Sequence, residues 1–140
     1  MSFGRRFGID FGGARIGIAI CDPDGIVATP LVTLPNNEKF LSEFRKLQDE
    51  YLATGIFLGK PQHLSGASSA IEKEVEEFAK KLSDETELPI TWVDERLTSN
   101  AAALALRERG MSARESKGLI DQLAAVAILE LGISLEKKNA

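Results

Sequence analysis

The sequence holds one cysteine, one histidine and no long uninterrupted apolar run. Each scarcity removes a class of protein. A lone Cys21 cannot close an internal disulfide, and no Cys/His group has ligand spacing, so neither a disulfide-stapled nor a structural-zinc fold is expected. The apolar runs fall short of a membrane span, and the arginines of MSFGRRFGID lead into a strand pattern and not into a signal-peptide core. These features predict a soluble, unexported protein of the reducing cytoplasm. A basic surplus is missing too. The net charge of -4 argues against a simple duplex binder, because phosphate binding is driven by basic surface and counterion release.

The charge is nevertheless uneven. From Glu72 to Glu95 the chain is strongly acidic, whereas the next stretch carries Arg96, Arg107, Arg109, Arg114 and Lys117 against only Glu108 and Glu115. That segment is a candidate for phosphate contacts, with ordinary solvated helix charges as the plain alternative. With 140 residues, 44% of them hydrophobic, a single domain over 1–140 would bury about two-thirds of its unfolded surface without staples. There is no internal repeat and no low-complexity linker.

The most informative stretch is FGIDFGGARIGIAIC, Phe7 to Cys21. Phe7, Ile9, Phe11 and then Ile16, Ile18, Ile20 share one face of a two-residue alternation, and Gly8, Asp10, Gly12 with Gly17, Ala19, Cys21 share the other. This predicts a β-hairpin turning near Gly12-Gly13. Asp10 would then stand on a face otherwise lined by very small residues, with room around its carboxylate. A half-buried strand more often carries Thr, Lys or Glu there, so Asp10 is a candidate functional residue.

Beyond a turn at Asp22–Gly25, Ile26 to Leu34 reads as a third strand interrupted by Pro30, which suits a sheet edge or a bulge. Pro35-Asn36-Asn37 opens a helix with Phe40, Phe44, Leu47 and Tyr51 at helical spacing, followed by a buried strand at Ile56 to Leu58. A second helix over Ser68 to Ser83, a last strand over Pro89 to Glu95, and helices at Asn100–Arg109 and Ala113–Leu135 complete the pattern. Ser112 with Glu115 forms a capping box for the final helix, and Gly110 breaks the one before it. Three antiparallel strands followed by α/β alternation predict an α/β fold with a mixed five-stranded sheet flanked by helices.

Two further acidic positions complete the candidate chemistry. Asp94-Glu95-Arg96 ends the last strand, where open α/β sheets present ligand-binding residues. Adjacent carboxylates on a strand point to opposite faces, so only one of Asp94 and Glu95 can share the Asp10 face, and the pattern alone does not say which. Asp121 lies on a helical wheel among Gly118, Ala124, Ala125, Ile128 and Gly132. A buried carboxylate there needs a hydrogen-bond partner, a basic group or a metal ion. Three carboxylates make an oxygen-only site suited to Mg²⁺ or Mn²⁺, and hence to phosphodiester hydrolysis. The loop Gly59–Gly66 places Lys60 within reach of a phosphate. It is not a P-loop, because the glycine spacing is wrong and Pro61 stands where a hydroxyl residue is required. His63, in the same loop, reads as solvated surface more readily than as a proton shuttle.

The segments DFGGARIGIA at Asp10–Ala19, Gly59-Lys60-Pro61 with Gly66, DERLT at Asp94–Thr98, and Lys117-Gly118 with Asp121, Ala124 and Ala125 resemble, in order and spacing, the YqgF family, also called RuvX. Each motif is weak alone, and four in register over almost the whole chain are specific. The resemblance implies an RNase H-like fold and a nuclease that matures the 5′ end of 16S ribosomal RNA, with older naming as a Holliday junction resolvase. It implies Asp10, Glu95 and Asp121 as catalytic, metal-holding acids for Mg²⁺ or Mn²⁺, with Asp94 adjacent. Substrate contacts are then expected from Arg15, Lys60, Arg96, Arg107, Arg109, Arg114 and Lys117. The chain departs from the common family pattern at Cys21 and Lys60, and neither departure removes an acid. The implied partner is precursor ribosomal RNA on the small-subunit precursor. Branched DNA, or a non-catalytic RNA-binding or transcription-associated role, are the competing readings. An actin-like ATPase also begins with an Asp-x-Gly hairpin, but needs two such lobes.

Overall fold

A computed structural model of the chain describes residues 3–60, 69–94 and 113–139. Strands β1 (Arg6–Phe11) and β2 (Arg15–Cys21) form the expected antiparallel hairpin, with Phe7 opposite Ile20, Ile9 opposite Ile18 and Asp10 opposite Gly17. Strand β3 (Ala28–Pro35) pairs antiparallel with β2, and β4 (Gly55–Lys60) and β5 (Ile90–Asp94) add in parallel on the other side of β1. The sheet order is β3-β2-β1-β4-β5. Helices α1 (Phe40–Tyr51), α2 (Ser69–Thr86) and α3 (Ala113–Lys138) complete the described elements.

The two-residue alternation of the hairpin sorts the core into two layers. Phe7, Ile9, Ile16, Ile18 and Ile20 pack with Ile56 and Leu58 against Phe40 and Phe44 of α1 and Val75, Ala79 and Leu82 of α2. On the opposite face Ala19, Cys21, Phe57 and Val93 meet Ala125, Ile128, Leu129 and Ile133 of α3. The small residues let α3 approach. A Cβ on Gly8 would lie 2.5 Å from the Ala125 carbonyl oxygen and 2.6 Å from the Leu129 Cβ, closer than packed atoms tolerate. Cys21 is buried in this layer, and burial pushes its thiol pKa up, which leaves it an inert core residue.

Two expectations need correction. The third strand starts at Ala28, not Ile26, because the Asp22 carboxylate accepts N–H bonds from Asp24, Ile26 and Val27 at 3.2, 2.6 and 2.7 Å, folding 22–27 into a turn. The same bonds, with Val27 the largest contributor, hold the Asp22 carboxyl below its ordinary pKa. Second, Gly118–Lys138 is long and apolar enough to span a membrane by length and composition, with a mean hydropathy of 1.7. Asp121 and Glu130 interrupt the run without lowering that mean far, and the helix lies along the sheet with Ala125, Ile128 and Leu129 buried.

Pro30 behaves as predicted. β3 is an edge strand, and its register against β2 slips between Ile18 and Ala19, so that Val32 and Pro30 are their partners and Leu31 is the extra residue. The helix expected at Asn100–Arg109, Gly110, and the capping box at Ser112 lie outside the described residues.

Candidate carboxylate site

Asp10 sits at the end of β1 on the α3 face of the sheet, directly across from Gly17. Antiparallel partners of this kind have Cα atoms about 5 Å apart. Gly17 is in turn the point where α3 touches the sheet: a Cβ there would collide with the Asp121 carbonyl and lie 3.0 Å from the Asp121 Cβ. One glycine therefore stands between the two carboxylate-bearing residues. Any other residue type at 17 would hold α3 off the sheet and Asp121 away from Asp10.

Asp121 is held by more than packing. The Arg15 Nε–H donates to its Oδ2 at 2.7 Å, with the Arg15 and Asp121 side chains 39% and 19% exposed. The Thr33 hydroxyl donates to the Gly118 carbonyl at 2.6 Å and accepts from the Gln122 amide at 3.2 Å, fixing this end of α3 on β3. At the other end Arg6 pairs with Glu136 at 2.7 Å, and Lys137 donates to the Asp24 and Gly25 carbonyls at 3.0 and 2.9 Å. The helix that carries Asp121 is thus tied to the sheet at both ends. The Asn36 side-chain amide donates to the Gly12 carbonyl at 2.8 Å and steadies the turn that joins Asp10 to Arg15.

The parity of β5 settles the part of the Asp94 or Glu95 question that concerns Asp94. Val93 faces α3, whereas Trp92 and Asp94 share the opposite face with their partners Leu58 and Lys60. Asp94 therefore lies on the other side of the sheet from Asp10. Glu95 is outside the described residues, as are Arg96, Arg107 and Arg109 and the side chains of Arg114 and Lys117. Lys60 ends β4 fully on the α2 side and is exposed, so the structure does not bring it to the Asp10 face. Arg15 does share that site, and its pairing with Asp121 was not legible from the sequence, because residues 106 positions apart meet only through the packing at Gly17.

Asp10 and Asp121 supply hard oxygen donors only, with sulfur and imidazole absent from their immediate surroundings among the described residues. Such donors fit Mg²⁺ or Mn²⁺. The glycine gap gives the two carboxylates a common side on which to meet an ion. Among the described residues no group of three or more His, Cys, Asp or Glu comes together.

A mixed sheet of three antiparallel and two parallel strands, with helices on both faces, is an RNase H-like fold. Two solved structures have this architecture: Thermus thermophilus RuvC in complex with a Holliday junction substrate (TM-score 0.62, 8% identity, 96% of each chain), and RuvC of the same organism alone (TM-score 0.57, 12% identity, 96% of each chain). At that identity the likeness is one of fold. Residues 4–134 match the family model RuvX, described as Holliday junction resolvase, and the chain belongs to that family. It is 45% identical over 134 residues to the protein named "Putative pre-16S rRNA nuclease" of Rhodococcus jostii, covering 91% of this chain and 75% of that one. A protein of the same name from Clavibacter michiganensis is 39% identical over 140 residues, covering 98% and 87%.

Proposed function

We propose that this chain, as one nuclease domain over 1–140, is a cytoplasmic, metal-dependent endonuclease that processes the 5′ end of precursor 16S ribosomal RNA. The observation that carries the reading is the convergence of Asp10 and Asp121 across Gly17. Asp10 and Asp121, with Glu95 as the third acid, would hold Mg²⁺ or Mn²⁺. When bound, such ions stabilise the attacking and leaving oxygens of phosphodiester hydrolysis.

The chain's own residues have separable tasks in this account. The backbone of Asp10 is fixed by its pairing with β2 in the central strand of the sheet, which sets where its carboxylate stands. Arg15 holds one oxygen of Asp121 and leaves the other for the ion. Its guanidinium is thereby held beside the site, where it would contact a substrate phosphate. Arg96, Arg107, Arg109, Arg114 and Lys117 would position the strand through phosphates without reading bases. Because the chain as a whole is acidic, binding is expected to depend on the small-subunit precursor presenting the RNA.

The names of the relatives support RNA as substrate. The family description and the junction-bound RuvC structure favour branched DNA as the second reading. In a cleavage assay on precursor RNA, Mg²⁺ or Mn²⁺ should support cutting and excess EDTA should abolish it. Full activity in the chelator would overturn the metal-dependent mechanism. Removing Arg107 and Arg109 together by Ala substitution should weaken RNA binding and reduce the slope of log affinity against log salt by about one to two. A slope equal to that of wild type would return these two residues to the solvated surface.

A further inference from the structure

The ion pair between Arg15 and Asp121 is anchored on both sides. Arg15 opens β2 opposite Pro35 of β3. The turn before it is fixed by two bonds from Asn36, whose side-chain amide donates to the Gly12 carbonyl at 2.8 Å and whose backbone N–H donates to the Ala14 carbonyl at 3.0 Å. Asp121 is seated over Gly17, one helical turn from the Gly118 carbonyl that accepts the Thr33 hydroxyl at 2.6 Å. Arg15 and Gly17 are two residues apart on one strand, so both face α3. An ion pair between two swinging surface chains fixes little. Here other contacts set the backbone at each partner, so the bond selects one orientation of the Asp121 carboxylate.

That bond engages one oxygen. The Arg15 Nε–H donates to Oδ2 at 2.7 Å, the short range of a charge-assisted hydrogen bond. A divalent ion chelated through both Asp121 oxygens would share Oδ2 with the guanidinium and meet its positive charge at close range. An ion taken through the other oxygen stays farther from that charge. Calcium and magnesium differ on this point. Ca²⁺ accepts about six to eight oxygens in a flexible shell and readily takes a carboxylate through both of its oxygens. Mg²⁺ demands near-octahedral geometry, which the narrow bite of a chelating carboxylate distorts.

We propose that Arg15 is a positioning residue that sets ion selectivity: by holding Oδ2 it makes Asp121 a one-oxygen ligand and disfavours Ca²⁺ relative to Mg²⁺ at the carboxylate site. The inference rests on the metal-dependent reading above and adds to it which class of divalent ion the site takes.

The full-length protein is melted without nucleic acid in rising MgCl₂ or CaCl₂ at constant ionic strength. The affinity for each ion is read from the rise in Tm, because an ion that binds only the folded chain stabilises it by mass action. Loss of a positive charge alone strengthens the binding of both dications alike, so the ratio of the two affinities isolates the orientation of the carboxylate. In Arg15→Met the ratio of Ca²⁺ to Mg²⁺ affinity should rise about five-fold or more. Arg15→Lys keeps a charge on a flexible stem without the planar fork, and its ratio should fall between wild type and Arg15→Met. Where Arg15→Met melts too early to titrate, the lysine variant carries the comparison. A ratio unchanged in both variants, with Mg²⁺ stabilisation still lost in Asp10→Asn, would overturn the proposal and leave the nuclease reading standing. Mg²⁺ stabilisation that Asp10→Asn does not reduce would overturn the proposal together with the metal site. No stabilisation of wild type by either ion would also overturn the proposal, and the cleavage assay then tests the nuclease reading separately.

Discussion

Asp121→Asn is expected to lower the cleavage rate at least about a hundred-fold, the scale seen when one preorganised charge-stabilising group is removed, while leaving the protein folded. The substitution keeps the shape and removes the charge. Two effects on stability oppose each other. The ion pair with Arg15 is lost, but both side chains are partly exposed, so the cost is about 1 kcal/mol at most. Against it, relief of repulsion from the nearby Asp10 carboxylate returns part of that cost. For a chain of this length the net change in Tm should be no more than about 5 °C. Melting curves and cleavage assays on the same preparation decide the matter. If Asp121 were a structural aspartate satisfying buried donors, the loss would be on the order of 3 kcal/mol or more, with a clear early melt. Cleavage at the wild-type rate would remove Asp121 from the site.

Gly17→Ala should act through the fold and so strike both stability and activity. The added methyl group would meet the Asp121 carbonyl and Cβ, which are backbone and near-backbone atoms of a helix tied to the sheet at both ends. A flexible side chain could swing aside, but this helix has to move as a body. Overpacking of this kind costs about 1 to 3 kcal/mol and occasionally more, and the upper part of that range applies here. The expected result is a fall in Tm of about 10 °C, together with a loss of cleavage as Asp121 is displaced from Asp10. Gly13→Ala is the matched control: a Cβ there meets nothing within 4 Å, and its Tm should stay within about 2 °C of wild type. A Gly17→Ala protein as stable and active as wild type would mean that the close approach of α3 does not set the site.

These two positions also show what the sequence could and could not disclose. The hairpin, its turn and the face on which Asp10 stands were legible because a strand's period of two makes a row of Gly and Ala visible beside a row of Ile and Phe. The edge position of β3 was legible from Pro30 alone. The apolar stripe of the last helix placed Asp121 on its packed face. The sequence did not disclose that Arg15 pairs with Asp121, since that contact is made by helix-on-sheet packing and has no local signature. It also could not decide between Asp94 and Glu95. A five-residue strand with apolar and polar residues on both faces has no clear inner side, and only the burial of Val93 against α3 assigns Asp94 to the far face. The start of β3 was misread because Ile26 and Val27 look like strand residues, whereas the Asp22 carboxylate captures their N–H groups first.

The most direct test of the central claim is a side-by-side measurement of single-turnover cleavage in Mg²⁺. Precursor 16S RNA on its small-subunit precursor is offered beside a synthetic DNA four-way junction, with Asp10→Asn protein as the control for each. The account predicts faster cutting of the ribosomal precursor at its 5′ end, lost in Asp10→Asn. Faster cutting of the junction, or cleavage of the precursor that persists in Asp10→Asn, would contradict it.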